Sequence, residues 1–182
     1  MTAFAFTYFK RALHLCMCIV MAAPIAGRAS ENPTVSFTLE RQKIIIPTKV
    51  NGSRPLKLIL DTGMGFDGVY LFHKEALALI DTVGLIEVRV PGAGSGDAST
   101  AMMIENGRIE FGDVSLAGQK IIVSQSEHTQ FFSTDGVIGW NLFGHYLVEI
   151  DYDRHRILLH DSSFVPSDSG WSNIPIEMKR NL

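Results

Sequence analysis

Asp61-Thr62-Gly63 is the stretch whose residue types and order suggest chemistry. It follows the apolar run Leu58-Ile59-Leu60, so a carboxylate, a hydroxyl and a glycine arrive together at the end of a strand. A carboxylate there costs free energy unless it is hydrogen-bonded or partly protonated. Gly63 lets the chain turn sharply and bring backbone N–H groups to the carboxylate, and Thr62 offers a hydroxyl to tie the loop. Asp and Gly are also common in ordinary turns, so three residues alone leave a simple turn open.

A second stretch, Asp135-Gly136-Val137-Ile138-Gly139-Trp140-Asn141-Leu142, bears on the first. Two β-branched residues followed by Gly139 would let another backbone pass very close. Asn141-Leu142-Phe143 then starts a short helical turn before the strand YLVEIDY.

The elements that must position these groups read mostly as strands. Lys43 to Val50 is rich in Ile, Val and Thr, and Asn51-Gly52 is a strong hairpin signal because both turn residues must take positive φ. Asn51-Gly52-Ser53 is also a glycosylation sequon, although the turn explains it. Leu56 to Leu60 returns, with Leu56, Leu58 and Leu60 on one face and Lys57, Ile59 and Asp61 on the other. Val69 to Phe72 is a short apolar run, and His73 to Ile80 reads as a short helix. Leu85 to Val90 and Ala101 to Glu105 flank a glycine-rich tip at 91–97 carrying Gly92, Gly94 and Gly96. Arg108 to Phe111 and Val114 to Leu116 read as a hairpin, Gln119 to Ser124 as a further strand, and Tyr146 to Tyr152 with Arg156 to His160 as the last pair. Many short strands with frequent turns predict an all-β barrel or sandwich with one or two short helices.

Here the sequence resembles the retropepsin-like aspartic proteases, the single-lobe relatives of pepsin. The matching residues are LILDTG at 58–63, VIGWNLF at 137–143 and the hairpin VEIDYDRHRILLHD at 148–161, with Asn51-Gly52 before the first of them. The resemblance implies a closed β-barrel over 30–161 and aspartic endopeptidase activity with Asp61 as the catalytic carboxylate. It further implies that Thr62 locks the two catalytic loops, that Val137, Ile138 and Gly139 pack beside Asp61, and that 91–97 forms a flap over substrate. Met64-Gly65 departs from the family, which has a small residue and then Ser or Thr after DTG.

The mechanism needs two carboxylates about 3 Å apart that share one proton. The chain carries one DTG; Asp135 reads as a turn residue, Asp67 as a loop residue, and Asp97 lies in the expected flap. The second carboxylate is therefore expected from another copy, in a homodimer acting on peptide or protein. The rival is an aspartic-protease-like domain that binds peptides or partners without cleaving them, motivated by Met64-Gly65.

Composition excludes other classes. The 182 residues are 46% hydrophobic and 19% charged with a net charge of −3, which fits a globular chain and makes nucleic acid a poor partner. Residues 1–29 hold Lys10 and Arg11 before the apolar run Ala12 to Ala23, then Gly27-Arg28-Ala29, the pattern of a secretory signal peptide. An uncleaved anchor is the other reading of that segment. Export to a periplasm or the outside is expected, with no membrane partner once the leader is removed. Both cysteines, Cys16 and Cys18, lie inside the leader, so the remainder must hold its fold without disulfides. His128, His145, His155 and His160 are scattered and no metal motif exists, so neither metal nor cofactor is expected. Trp140 and Trp171 read as packing groups. Residues 162–182 read as a tail, with Asn173 to Met178 as a terminal strand or the truncated start of a second lobe.

Overall fold

The computed structural model describes residues 32–90, 98–166 and 170–176. The expected leader at 1–29, with both cysteines, and the glycines 92, 94 and 96 of the expected flap lie outside the described residues. Eleven strands run through the rest: β1 Thr34–Ser36, β2 Thr38–Glu40, β3 Lys43–Val50, β4 Pro55–Leu60, β5 Gly68–Leu71, β6 Ile86–Val90, β7 Ser99–Phe111, β8 Val114–Ser124, β9 Gly136–Ile138, β10 Leu147–Asp151 and β11 Arg156–His160. One four-residue helix, α1 (Trp140–Phe143), and 3-10 turns at Lys74–Ala78 and Glu127–Thr129 complete them. Among the described residues no helix is long and apolar enough to cross a membrane.

Strands pair in the order β2-β3-β4-β9-β5-β8-β7-β6, and a further β3–β7 pairing closes the six between into a barrel. The all-β, closed-barrel expectation is met. Closure leaves β2 and β6 as the ragged margins of the sheet. The strands β1, β11 and β10 form a separate three-stranded sheet against it. Barrel strands fill the interior from alternate positions: Leu56 and Leu58 of β4 are fully buried while Lys57 between them is exposed. Ile46, Ile109, Phe111, Ile121 and Ile138 meet them there, and burying each such side chain contributes roughly 1.5–3 kcal/mol.

The Asn51-Gly52 hairpin forms as expected, with φ of 45° and 86°. Asn51 does more than turn the chain. Its Oδ1 accepts from the Arg108 N–H (3.2 Å) and its Nδ2 donates to the Asp81 carbonyl (2.5 Å). Ser53, the sequon hydroxyl, is buried and accepts from the Val50 N–H at 2.9 Å. Both polar residues of the sequon are thus engaged in fastening this end of the barrel.

Four differences from the sequence reading stand out. Ala101–Glu105 and Arg108–Phe111 are one strand, β7, with a register irregularity at Gly107, and Val114–Leu116 and Gln119–Ser124 are one strand, β8. Gly107 lies inside the ladder opposite Gln119, and a Cβ there would strike the Ile121 side chain, so the position takes glycine. The strands β1 and β2 were not foreseen. Trp140 and Trp171 are 41% and 55% exposed, so neither is a core packing group. Residues 171–176 of the tail carry no regular strand.

Candidate active site

The site is built where two loops leave parallel strands. β4 and β9 pair in parallel, with Ile59 opposite Val137 and Leu60 opposite Ile138. Both strands therefore deliver their C-terminal loops, Asp61-Thr62-Gly63 and Gly139-Trp140, to the same edge. The Asp61 N–H donates to the Ile138 carbonyl at 2.8 Å and continues the ladder one residue past β4. Gly139 then passes so close that a Cβ would collide with the Asp61 carbonyl oxygen and press on the Met64 Cβ. Any other residue at 139 must push the Asp61 backbone away, which is the close approach the glycine was expected to provide.

The Asp61 carboxylate is exposed, and its Oδ1 accepts from the Gly63 N–H at 2.8 Å. The backbone N–H expected from the glycine turn is in place. Thr62 and Gly63 are exposed, and the Thr62 hydroxyl makes no hydrogen bond among the described residues. Met64 turns inward and is 7% exposed, so the position after Gly63 serves the core rather than the carboxylate.

Downstream, α1 locks the loop's exit. Asn141 is fully buried. Its Nδ2 donates to the Gly68 carbonyl (2.6 Å) and its Oδ1 accepts from the Gly68 N–H (2.9 Å), with the Gln119 amide alongside. The segment 61–67 is thus gripped at its start by β9 and at its end by Asn141. Asn141 was expected to begin a helical turn, but its grip on Gly68 was not legible, because sequence does not show that a buried amide faces a backbone 73 residues away.

Asp61 opens onto a cavity of about 520 Å³. Ile44, Ile59, Val137, Phe143 and Ile150 give it apolar walls, Phe72, Phe132 and Tyr152 give aromatic ones, and Gln42, Lys43 and Thr62 sit on its lining. Phe72 and Phe132 stack at 4.4 Å between ring centroids. The loop bearing Phe132 is held over Phe72 by Thr129 and Gln130, whose side chains donate to the Phe72 carbonyl at 2.6 and 3.0 Å. A second wall, with Ile150 and Tyr152, is the β10–β11 hairpin, clamped by charge. The Asp151 carboxylate accepts from the Arg154 N–H (3.0 Å), the Arg154 guanidinium (3.0 Å) and Arg156 (3.1 Å). These bonds, the Arg154 backbone N–H foremost, hold the Asp151 carboxyl down at about 2. None of the aromatic wall was identifiable from sequence, since its members, Phe72, Phe132 and Tyr152, come from three separate segments.

Of the other acids weighed from sequence, Asp135 and Asp67 are bonded elsewhere, and Asp97 lies outside the described residues. Asp135 caps the start of β4: its Oδ2 accepts from the Lys57 N–H at 2.7 Å, and its own N–H bonds the Lys57 carbonyl. That places it four residues down the strand from Asp61, roughly 13 Å at the usual rise. Asp67 pairs with His145 at 2.8 Å. Among the described residues no group of three or more His, Cys, Asp or Glu could hold a metal ion.

No protein-family model matches the sequence, and no curated protein matches it at a significant level. The structure is similar to the crystal structure of a retropepsin-like aspartic protease from Rickettsia conorii. The alignment has 17% identity and a TM-score of 0.46, and it covers 69% of this chain and 87% of that one.

Proposed function

We propose that the protein is an aspartic endopeptidase in which water is activated between Asp61 and the Asp61 of a second copy. One observation carries the reading: an exposed carboxylate, oriented by the Gly63 N–H at 2.8 Å, faces a cavity of about 520 Å³ with apolar and aromatic walls. One carboxylate of the pair deprotonates water as the other protonates the scissile carbonyl oxygen, and a single shared proton makes this feasible. Asp67 and Asp135 are each bonded elsewhere, so a partner chain is the natural source of the second carboxylate. A two-fold axis beside this loop would also cover Thr62 and Gly63, which lie exposed on the single chain. Peptide is the substrate class, and activity peaks at acidic pH because the pair must hold one proton. A cleaved leader at 1–29 would deliver the enzyme to a periplasm or outside the cell, and N-terminal sequencing of exported protein checks this.

The test is incubation of the protein, freed of residues 1–29, with an unfolded protein at several pH values. A transition-state-mimicking aspartic protease inhibitor should abolish cleavage. Specific activity should fall on dilution, since association follows mass action. Constant specific activity from a sedimenting monomer would sink the shared pair.

A second reading, peptide binding without cleavage, is favoured by Met64. Its burial leaves no side-chain hydroxyl bonded to Asp61 among the described residues. Inhibitor and peptide binding with no turnover at any pH would establish it.

A further inference from the structure

At the site end of β3 the chain turns through Arg41 and Gln42, between Glu40 and its cross-strand partner Lys43. Both turn residues are left-handed, with φ of 50° and 63°. A two-residue hairpin loop with positive φ at both positions is the type that favours Asn-Gly, and Asn51-Gly52 occupies that turn at the other end of the same strand. Arg and Gln carry side chains that resist this backbone. Strain retained at a site edge asks what the side chains do there.

They line cavities. Gln42 and Lys43 line the Asp61 cavity, and Arg41 and Lys43 line a neighbouring one of about 270 Å³. The two cavities share Lys43, Ile59 and Phe132. Continuing the β3–β4 register beyond Ile45–Ile59 brings Lys43 opposite Asp61. The one acid of the turn, Glu40, is neutralised by Lys57 at 2.7 Å. Arg41 and Lys43 make no ion pair among the described residues. A chain of net charge −3 thus displays two uncommitted cations beside an apolar cavity.

We propose that the Arg41-Gln42 turn is a substrate-recognition element and that Arg41 and Lys43 form an acidic-side-chain subsite next to the Asp61 cavity. The ligand class is a peptide with a bulky apolar residue for the Asp61 cavity and a Glu or Asp within two residues of it. The proposal rests on the peptide-site reading above, but not on turnover. The guanidinium of Arg41 supplies a planar fork for the carboxylate, and the Lys43 ammonium adds a point charge that also offsets the repulsion from Asp61.

The test uses one apolar peptide carrying Glu, Gln or Lys at each position flanking its bulky residue. Cleavage is measured with the wild-type protein and binding with Asp61→Asn protein, by fluorescence anisotropy. Glu should be preferred over Gln by about tenfold at its best position, as expected of hydrogen bonds to a charged group, and Lys should be worst. In the same background, the pair Arg41→Gln and Lys43→Gln should bring the Glu-to-Gln ratio near one, and Arg41→Glu with Lys43→Glu should invert it toward Lys. Each single Gln variant gives the same reading should a double variant fail to fold. Selective binding of Glu peptides without cleavage would retire the protease reading and keep the subsite. Cleavage with no Glu preference would overturn the subsite and keep the protease. No peptide binding at all, or a preference that survives both pairs of substitutions, also overturns the subsite.

Discussion

The two ends of the barrel are made from the same strands to different standards. At the end away from Asp61, β3 turns through Asn51-Gly52, residues suited to positive φ, and the polar groups around the turn are bonded: Asn51 to Arg108 and Asp81, Ser53 to Val50. Asp135, also at the far end of β4, is bonded to Lys57. At the other end β3 turns through Arg41-Gln42 against conformational preference. There Asp61 and Thr62 face solvent, Phe131 is 89% exposed and Phe132 49%. One end spends its side chains on stability, and the other holds charged, aromatic and strained groups out toward the cavities. Substitutions should therefore separate the ends: function without stability at the site end, stability without function at the far end.

The largest effect is expected from Asp61→Asn. It keeps the shape and the acceptor oxygen for the Gly63 N–H but removes the ionisable group. Turnover should fall by on the order of 10³-fold or more, the scale of acid–base catalysis, with the melting temperature unchanged. Excess mutant chains mixed with wild type should depress activity beyond simple dilution, because mixed dimers hold one essential carboxylate. Wild-type turnover by the mutant would remove Asp61 from the mechanism.

Gly139→Ala is the exception that sharpens the contrast, since it sits at the site end yet should lose both. The added methyl collides with the Asp61 carbonyl oxygen, which is backbone and cannot swing aside. Overpacking of this kind costs about 3 kcal/mol, read as a lower denaturant midpoint. Activity should fall with it, because the shift displaces Asp61 itself. A stable and active Ala variant would show that the β4 and β9 loops are looser than their geometry.

The far end gives the reverse test. Asn51→Ala removes two side-chain hydrogen bonds and places a residue with a poor left-handed preference at φ 45°. A loss of about 2 kcal/mol follows from the bonds and the backbone together. The kcat/KM of the remaining folded protein should not change.

What sequence revealed follows the same division. Features encoded by neighbouring residues were legible: the Asn51-Gly52 turn, the carboxylate at the end of an apolar strand, the glycine after Val137-Ile138. That Val137, Ile138 and Gly139 pack beside Asp61 was implied by the family resemblance of the two stretches, and the β4–β9 pairing puts them there. Features depending on what another segment does were not. Gly107 falls between the two expected strands, and only the structure shows one continuous strand with Ile121 filling the space over it. Phe72, Phe132 and Tyr152 are ordinary aromatics until three loops bring them around one cavity. The Arg41-Gln42 turn has no signature because its residues are poor turn formers, and that mismatch becomes informative only once the backbone is known.

Acid should affect the two walls of the cavity differently. The Phe72–Phe132 wall is held by neutral hydrogen bonds, whereas the Ile150–Tyr152 wall depends on an ionised Asp151. The Asp151 carboxyl is lowered from an ordinary value of 3.8 to about 2. A lowered carboxylate stabilises the folded state fully above its unfolded value, and the contribution is lost as pH falls from there through the folded one. The hairpin should therefore hold at the mildly acidic pH of the proposed reaction and loosen between pH 3.8 and about 2. Asp151→Asn should remove that acid limb from hairpin amide exchange while leaving the Phe132 loop unaffected. An identical acid limb in the variant would assign it to another group.

The smallest effect tests the comparison most directly, by giving the site end the turn of the far end. Replacing Arg41 by Asn and Gln42 by Gly supplies residues that accept positive φ, at positions where φ is 50° and 63°. Relief of left-handed strain is worth roughly 1–2 kcal/mol per residue in the ideal case. The extra freedom that Gly has in the unfolded chain returns part of that, so a net gain of about 1 kcal/mol is expected. The denaturant midpoint should rise with an unchanged slope, because the buried surface is the same. Arg41 is also one of the two uncommitted cations, so the gain should come with a weaker preference for acidic peptides. Lys43 remains in place, and the preference should shrink rather than vanish. A more stable protein with an intact preference would make the Arg41 side chain irrelevant to substrate. No gain in stability would mean that the turn is not strained as its φ values imply, and the two ends of β3 would then differ in sequence but not in cost.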